Sequence, residues 1–258
     1  MAVNIKTASQ IEGIRKSCRL AAATLDHVEQ HIKAGAHTAM LDNKIQQFMA
    51  QHGAKPATLN YRGYPKSSCI SLNEVVCHGI PSKKTILNEG DILNIDVTTI
   101  LDGYFGDTSR MFTVGPVSEA ARHLMQITKE CLDLGIEQCQ PGNKTGQIGH
   151  AITGHAMSAG YSVVHEFCGH GVGLQFHEDP EINHKSKPTK GVVMRPGMIF
   201  TIEPMINQGK ARTKTDKRDG WTARTIDHKL SAQYEHTILI TETGHEVLTD
   251  NKNAYAIT

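Results

Sequence analysis

The chain is expected to be α+β, with two pseudo-symmetric halves of about residues 1–115 and 116–258 forming one antiparallel sheet covered by helices, within a single domain spanning 1–258. Three observations predict this. First, Gly90-Asp91-Ile92-Leu93-Asn94-Ile95-Asp96 returns as Gly197-Met198-Ile199-Phe200-Thr201-Ile202-Glu203, an interval of 107 residues. The same interval carries Gly35, Thr38, Ile45 and Gly53 onto Gly142, Thr145, Ile152 and Gly160, and Leu41 onto Ile148. Second, each copy opens with two helical patterns. Third, each helix pair gives way to β-branched, alternating runs, so helices segregate to one face of an antiparallel sheet and the other face is free to carry a site. A chain of 258 residues can bury a full core in this way.

The elements follow in order. Ile11, Ile14, Cys18, Ala21, Leu25, Val28 and Ile32 recur at spacings of three and four, the period of one buried helix face, with Thr7-x-x-Gln10 as a capping box and Gly35 as a stop. A second helix is expected from Thr38, its N-cap, to His52, with Gly53 suited to the left-handed position beyond it. In the second copy Ser118 opens a long helix that Pro141-Gly142 ends, and Thr145 to Ala159 forms its shorter partner before Gly160. Strands are expected at 68–73, 91–100, 104–114, 162–164, 198–206 and 234–241. Two irregular stretches, Pro56 to Ser67 and Gln208 to Leu230, fall where the repeat breaks, and such loops often line pockets.

Each repeated strand ends in an acid. Asp102-Gly103 is a strong type I′ hairpin signal. With those two residues as the turn, Asp107 stands opposite Thr98 and Asp96 opposite Ser109, so Asp96 and Asp107 share a face as diagonal neighbours ~7–8 Å apart. The bland reading is a solvated acidic surface. Against it, Ile92, Ile95 and Val97 surround Asp96, and a charge in so apolar a strand needs a partner. In the second copy Glu203 matches Asp96, and Glu235-His236-Thr237 resembles Asp107-Thr108-Ser109 at an interval of 128, which lengthens the second hairpin by 21 residues. Four such acids suit hard or borderline divalent ions, and two ions bridged by carboxylates generate hydroxide near neutral pH.

Composition excludes several other classes. With 27 basic and 26 acidic residues the net charge is +1, which gives no global reason to expect a polyanionic ligand. The six cysteines form no C-x-x-C pair, arguing against a zinc ribbon or a disulfide framework and for reduced thiols in a cytosolic protein. Neither a signal peptide nor an apolar run of ~18 residues is present, so a soluble, cytoplasmic protein without membrane association is expected. Among 15 histidines, His165-Glu166-Phe167-Cys168-Gly169-His170 has one residue too many for the H-E-x-x-H zinc helix. Gly169-His170-Gly171-Val172-Gly173 lacks the spacing and βαβ context of a dinucleotide fingerprint. Its glycines more plausibly let the backbone deliver His170 into a crowded site.

Ordered motifs over nearly the whole chain resemble the methionine aminopeptidases, specifically the bacterial type I enzymes of the pita-bread (creatinase/aminopeptidase) fold. They include 63–67 (GYPKS), 73–81 (NEVVCHGIP), 94–97 (NIDV), 106–109 (GDTS), 168–173 (CGHGVG), 200–205 (FTIEPM) and 231–237 (SAQYEHT). The resemblance implies one catalytic domain, metal ligands at Asp96, Asp107, His170, Glu203 and Glu235, and two non-ligand histidines at His78 and His177. It implies a methionine pocket of Tyr61, Tyr64, Cys69, Phe176 and Trp221, with His78 and His177 also contacting substrate, and a monovalent-cation site at Asn73, Val75 and Ser231. Thr58 stands where some relatives carry cysteine. The chain begins where the family's catalytic domain begins, without the cysteine-rich extension of the longer eukaryotic type I enzymes, and it lacks the helical insertion of type II.

The implied activity is hydrolytic removal of N-terminal methionine from nascent proteins and peptides whose second residue is small, using two divalent ions (Co, Mn, Fe or Zn). Met1-Ala2 of this chain is itself such a sequence. Glu203 would shuttle a proton from the attacking water to the leaving amine, while His177 and His78 contact the scissile amide and the tetrahedral intermediate. A monomer is expected. The loop with Lys210, Arg212, Lys214, Lys217 and Arg218 is either a solvated basic loop or a contact to ribosomal RNA, as the family's cotranslational role implies. Competing readings are a prolidase or aminopeptidase P, which usually carries an extra N-terminal domain, and a binding protein of the same fold that has lost its metal site.

Overall fold

The computed structural model describes residues 3–250; Met1 and Ala2, read above as a substrate sequence, lie outside them. The first half supplies α1 (Ala8–Glu29), α2 (Thr38–Gln51), β1 (Lys55–Pro56), β2 (Cys69–Leu72), β3 (Val75–Cys77), β4 (Ile92–Leu101) and β5 (Tyr104–Thr113). The second supplies α3 (Glu119–Glu137), α4 (Gly146–Ser158), β6 (Ser162–Val163), β7 (Gly169–Gly171), β8 (Glu178–Ile182), β9 (Ile199–Ile202), β10 (Met205–Asn207), β11 (Thr213–Thr215), β12 (Ala223–Thr225), β13 (Ser231–Gln233), β14 (His236–Ile240) and β15 (His245–Val247).

The helices form for local reasons and pack for global ones. Both arms of the α1 capping box are made: the Thr7 hydroxyl accepts from Gln10 N–H (3.4 Å) and the Gln10 carboxamide from Thr7 N–H (2.8 Å). α1 stops at Glu29, so Ile32 reaches the core from the following turn. α2 is capped by His37, not Thr38: His37 Nδ1 accepts from Met40 N–H, while the Thr38 hydroxyl is taken up by Ser82, accepting from its N–H and donating to its carbonyl. Ser118, expected to open the long helix of the second copy, is its N-cap, accepting from Ala121 N–H. Thr145 precedes α4, but its hydroxyl accepts from Val192 N–H and tethers a loop instead.

Leu20, Leu25, Ile45, Ile70, Ile95 and Val97 form one core beneath α1 and α2; Leu124, Leu132, Ile148, Ile152, Phe200 and Ile238 form its counterpart beneath α3 and α4. Each such side chain, fully withdrawn from water, contributes about 1.5–3 kcal/mol. Ile14, Cys18, Val172, Ile199, Leu239 and Leu248 make a smaller cluster that joins the halves. Replacing Ile14 would open a cavity between them.

Every strand pair is antiparallel among the described residues, and hydrogen bonding divides the strands into four sheets. β1-β4-β2, with β5 on β4, belongs to the first half, and β15-β14-β9-β7-β8 to the second; β13-β10-β6 and β11-β12-β3 flank them. The expected strand over 198–206 is split into β9 and β10 at Glu203-Pro204, because proline has no N–H to give a ladder. There the opposing strand turns to the other half: Glu235 N–H bonds the Ser109 carbonyl at 3.0 Å. Two reciprocal bonds flank this bridge, Thr108 hydroxyl to Glu235 carbonyl (2.8 Å) and Thr237 hydroxyl to Asp107 carbonyl (2.7 Å). The halves are thus tied together beside their acids.

Part of the stretch expected to be irregular is ordered. Within 208–230, β11 and β12 form a hairpin, and β12 continues onto β3 of the first half. All six cysteines are free thiols, and no helix among the described residues is long and apolar enough to cross a membrane.

Candidate metal centre and substrate pocket

The β4–β5 hairpin has the register expected from its turn. Asp102 and Gly103 both have positive φ (51° and 84°), Thr98 pairs with Asp107, and Asp96 pairs with Ser109. In the second half the register is the same on both sides of the break, His236 with Ile202 and Met205 with Gln233, which sets Glu203 directly opposite Glu235. One pair of acids is diagonal and the other face to face. His170 comes from β7, at an irregularity in its pairing with β8. The neighbouring glycines permit this close approach: a Cβ at Gly169 would lie 2.3 Å from the Thr201 carbonyl oxygen, and one at Gly171 2.3 Å from that of Asp179.

These five residues line one cavity of about 700 Å³. Donor atoms of Asp107, His170 and Glu235 all lie within 4.8 Å of one another, and His170 Nε2 is 3.7 Å from both Asp107 Oδ2 and Glu203 Oε1. Burial pushes the Asp96 carboxyl up to about 7. Burial, together with the charge of neighbouring acids, raises Asp107, Glu203 and Glu235 well above the carboxylate range. Burial lowers His170 to about 4, so it cannot neutralise them as an imidazolium near neutral pH. Four acids and a neutral imidazole, drawn together with no Lys or Arg of the described residues paired to them, fit a divalent metal centre in donor chemistry and in charge.

Hydrogen bonds aim the acids. Thr98 Oγ1 donates to Asp107 Oδ1 (2.8 Å), Thr201 Oγ1 to Glu203 Oε1 (2.8 Å) and Gln233 Nε2 to Glu203 Oε2 (3.2 Å). Buried His184 accepts the backbone N–H of Glu203 at its Nε2 (3.0 Å). Sequence reasoning passed over these four. Thr98 and Gln233 were within its reach, one standing opposite Asp107 in the hairpin register and the other sharing the strand face of Glu235. His184, a single histidine in a polar stretch, gave no signal.

Aromatic rings line the same cavity. Phe176 and His177 enter from the turn between β7 and β8, Tyr61 and Tyr64 from the irregular stretch after β1, and Trp221 from the β11–β12 hairpin. Tyr61 lies 4.7 Å from Phe176 and 5.2 Å from His177 between ring centroids; Tyr64 is 5.2 Å from Trp221, and His78 is 5.9 Å from Trp221. Cys69 is cross-strand from Asp96, burial raises its thiol, and Cys69 and Thr58 both line the cavity. The Tyr64 hydroxyl lies 3.0 Å from the carbonyl oxygens of Ser68 and Gly79, and Asp42 accepts from Ser67 N–H and the Ser68 hydroxyl, which fixes the end of that stretch. Burial depresses His78 to about 4 and His177 to about 3, aided in His177 by His170 and Arg62, so both are neutral near pH 7. Phe167 and Met205 complete the wall and were not foreseen.

The residues expected to hold a monovalent cation adjoin one another. Ser231 N–H donates to the Asn73 carbonyl (2.9 Å), and Val75 begins β3 close by. In the basic loop the exposed Arg218 guanidinium lies 3.0 Å from Asp216.

Residues 12–242 match the model of metallopeptidase family M24. The chain is 51% identical over 247 residues to methionine aminopeptidase A of Synechocystis, an alignment covering 96% of this chain and 97% of the relative. It superposes on a crystal structure of methionine aminopeptidase from Rickettsia prowazekii with a TM-score of 0.95 at 46% identity, covering 96% of this chain and 100% of that one. A prolidase from Pyrococcus furiosus is more distant: TM-score 0.78, 26% identity, 95% of this chain but 65% of the prolidase.

Proposed function

This chain belongs to metallopeptidase family M24, and on that premise we propose that it removes the N-terminal methionine from peptides and nascent proteins whose second residue is small. The observation that carries the reading is one cavity lined both by four acids and an imidazole and by aromatic rings. Asp96, Asp107, His170, Glu203 and Glu235 would hold two divalent ions, Co, Mn, Fe or Zn being compatible with such donors. Bound there, the ions would supply Lewis acidity, polarising the scissile carbonyl and lowering the pKa of a water.

The protein's own groups do the rest. Glu203, oriented through both carboxylate oxygens by Thr201 and Gln233, would take the proton from the attacking water and pass it to the leaving amine. His177 and His78, neutral and fixed among aromatic rings, would donate hydrogen bonds to the substrate carbonyl region and the scissile amide. Tyr61, Tyr64, Cys69, Phe176 and Trp221 would receive the methionine side chain, whose sulfur gains ~0.3–1.5 kcal/mol per aromatic contact. An aromatic pocket for the first side chain and acids beside its amine favour an exopeptidase.

Further parts of the reading are a single catalytic domain of two related halves, a monovalent cation at Asn73, Val75 and Ser231, and a cytoplasmic monomer that meets nascent chains. Lys210, Arg212, Lys214, Lys217 and Arg218 would contact the ribosome.

The test is a peptide pair assayed with each metal under anaerobic conditions. Methionine release from Met-Ala-Ser, with Ala-Pro-Ala left intact, is the expected result; cleavage of Ala-Pro-Ala alone would replace this reading with the prolidase activity that the shared fold also accommodates.

A further inference from the structure

One buried charge lies outside the site described so far. Lys6 is 4 % exposed, although an ammonium group is among the most costly to strip of water. Its Nζ lies 2.5 Å from Glu178 Oε2, with a weaker contact to the Asn4 carbonyl at 3.4 Å. Glu178 uses its other oxygen on backbone: Oε1 accepts the N–H groups of Leu174 (2.7 Å) and Gln175 (2.9 Å). These residues start the turn that brings Phe176 and His177 to the cavity.

The segment carrying Lys6 is itself anchored. Lys6 N–H donates to the Gly197 carbonyl (2.9 Å), and a Cβ at Gly197 would come within 2.8 Å of Ile5 Cγ2 and 3.1 Å of the Lys6 carbonyl oxygen. Asn4 lines the cavity. A buried ion pair is a weak source of net stability, because desolvation offsets most of its Coulombic gain, whereas breaking it strands a charge. Its effect is to hold one geometry, and the geometry held here is that of the substrate-facing turn.

Resting on the aminopeptidase reading above, we propose that Lys6 is a positioning residue which, through Glu178, sets the 174–177 turn so that Phe176 and His177 face the substrate. Without the ammonium, Glu178 keeps a buried charge with two amide donors and relieves it by moving toward water. Leu174 and Gln175 then lose their acceptor and the turn loosens. None of the donor atoms of the four acids and the imidazole takes part in this network, so metal binding is retained.

The experiment uses the full chain loaded with Co(II) or Mn(II), comparing Lys6→Met with the double variant Lys6→Met/Glu178→Gln. The glutamine keeps an oxygen for both amides but has no charge to bury. Lys6→Met is expected to lower kcat on Met-Ala-Ser by about 10- to 100-fold, the penalty of a misplaced contact group, with parental metal affinity and faster amide hydrogen exchange at 174 and 175. The double variant should recover most of both losses. Parental kcat and parental exchange in Lys6→Met would overturn the proposal, as would a double variant no better than the single. If Lys6→Met does not fold, Glu178→Ala, which removes both the partner of Lys6 and the acceptor of the two amides, decides: slower turnover with faster exchange at 174 and 175 supports the proposal, and parental values overturn it. Exchange is read without turnover, so a parent protein that releases no methionine counts against the aminopeptidase reading while the exchange comparison still decides the role of Lys6.

Discussion

The two acid-bearing hairpins started from the same pattern and reached different geometries. β4–β5 is an unbroken ladder closed by Asp102 and Gly103, with Asp96 and Asp107 diagonal to each other. Its counterpart is interrupted at Pro204, carries the β11–β12 hairpin and Trp221 in its long connection, and sets Glu203 face to face with Glu235. The first hairpin is a rigid mount for two acids. The second gives up ladder bonds at the break, frees Glu235 N–H to tie the halves together, and gains a loop that reaches the substrate cavity. The repeat supplied the acids, and the departure from symmetry brought Trp221 to their cavity.

The comparison breaks most visibly if the acids of the two hairpins do not act as one centre. Asp107→Asn and Glu235→Gln, one from each hairpin, should both reduce methionine release to that of metal-free protein, with far-ultraviolet circular dichroism unchanged. Normal turnover in either would remove that hairpin from the centre. A smaller contrast separates the roles of the two halves. Thr201→Val, which takes a donor from Glu203, should lower kcat about 10- to 100-fold, while Thr98→Val, which takes one from Asp107, should lower metal affinity by a similar factor. Titration calorimetry and steady-state kinetics on the two variants would reveal whether the effects divide in this way.

Next in size is Trp221→Ala, in the added loop. It should raise KM for Met-Ala-Ser by about tenfold, the equivalent of ~1.4 kcal/mol, and leave kcat near the parent value. The smallest effect belongs to the turn of the first hairpin. Gly103→Ala places a Cβ at a φ of 84°, so it should cost about 1 kcal/mol or more in urea unfolding with no change in kcat/KM. Loss of activity there would mean that the turn, remote as it is from the cavity, helps to position Asp96 and Asp107.

The sequence was most legible where geometry was short-range. The capping box of α1, the helix start at Ser118 and the register of β4–β5 each depend on a few neighbouring residues, and each formed as expected. The second hairpin was not readable in the same way, because a long connection leaves register to tertiary contacts. Even so, the break was in plain view, since Pro204 has no N–H to pair. His37 displaced Thr38 as a cap because Ser82, distant in sequence, claimed the Thr38 hydroxyl. The acids were legible from the repeat and the pocket residues from family resemblance. His184 and Lys6 were legible from neither, since each bonds a residue far along the chain, His184 the N–H of Glu203 and Lys6 the carboxylate of Glu178.

The two-residue difference in register limits what a symmetric assembly could achieve. Two copies of the first half, fused or associated as a dimer, would present two diagonal acid pairs, no proline break and no counterpart of His170, whose position in the repeat is occupied by Gly63. Any minimal or redesigned version of this protein must therefore keep the halves distinct, and a sequence driven toward perfect internal symmetry would lose the site before it lost the fold.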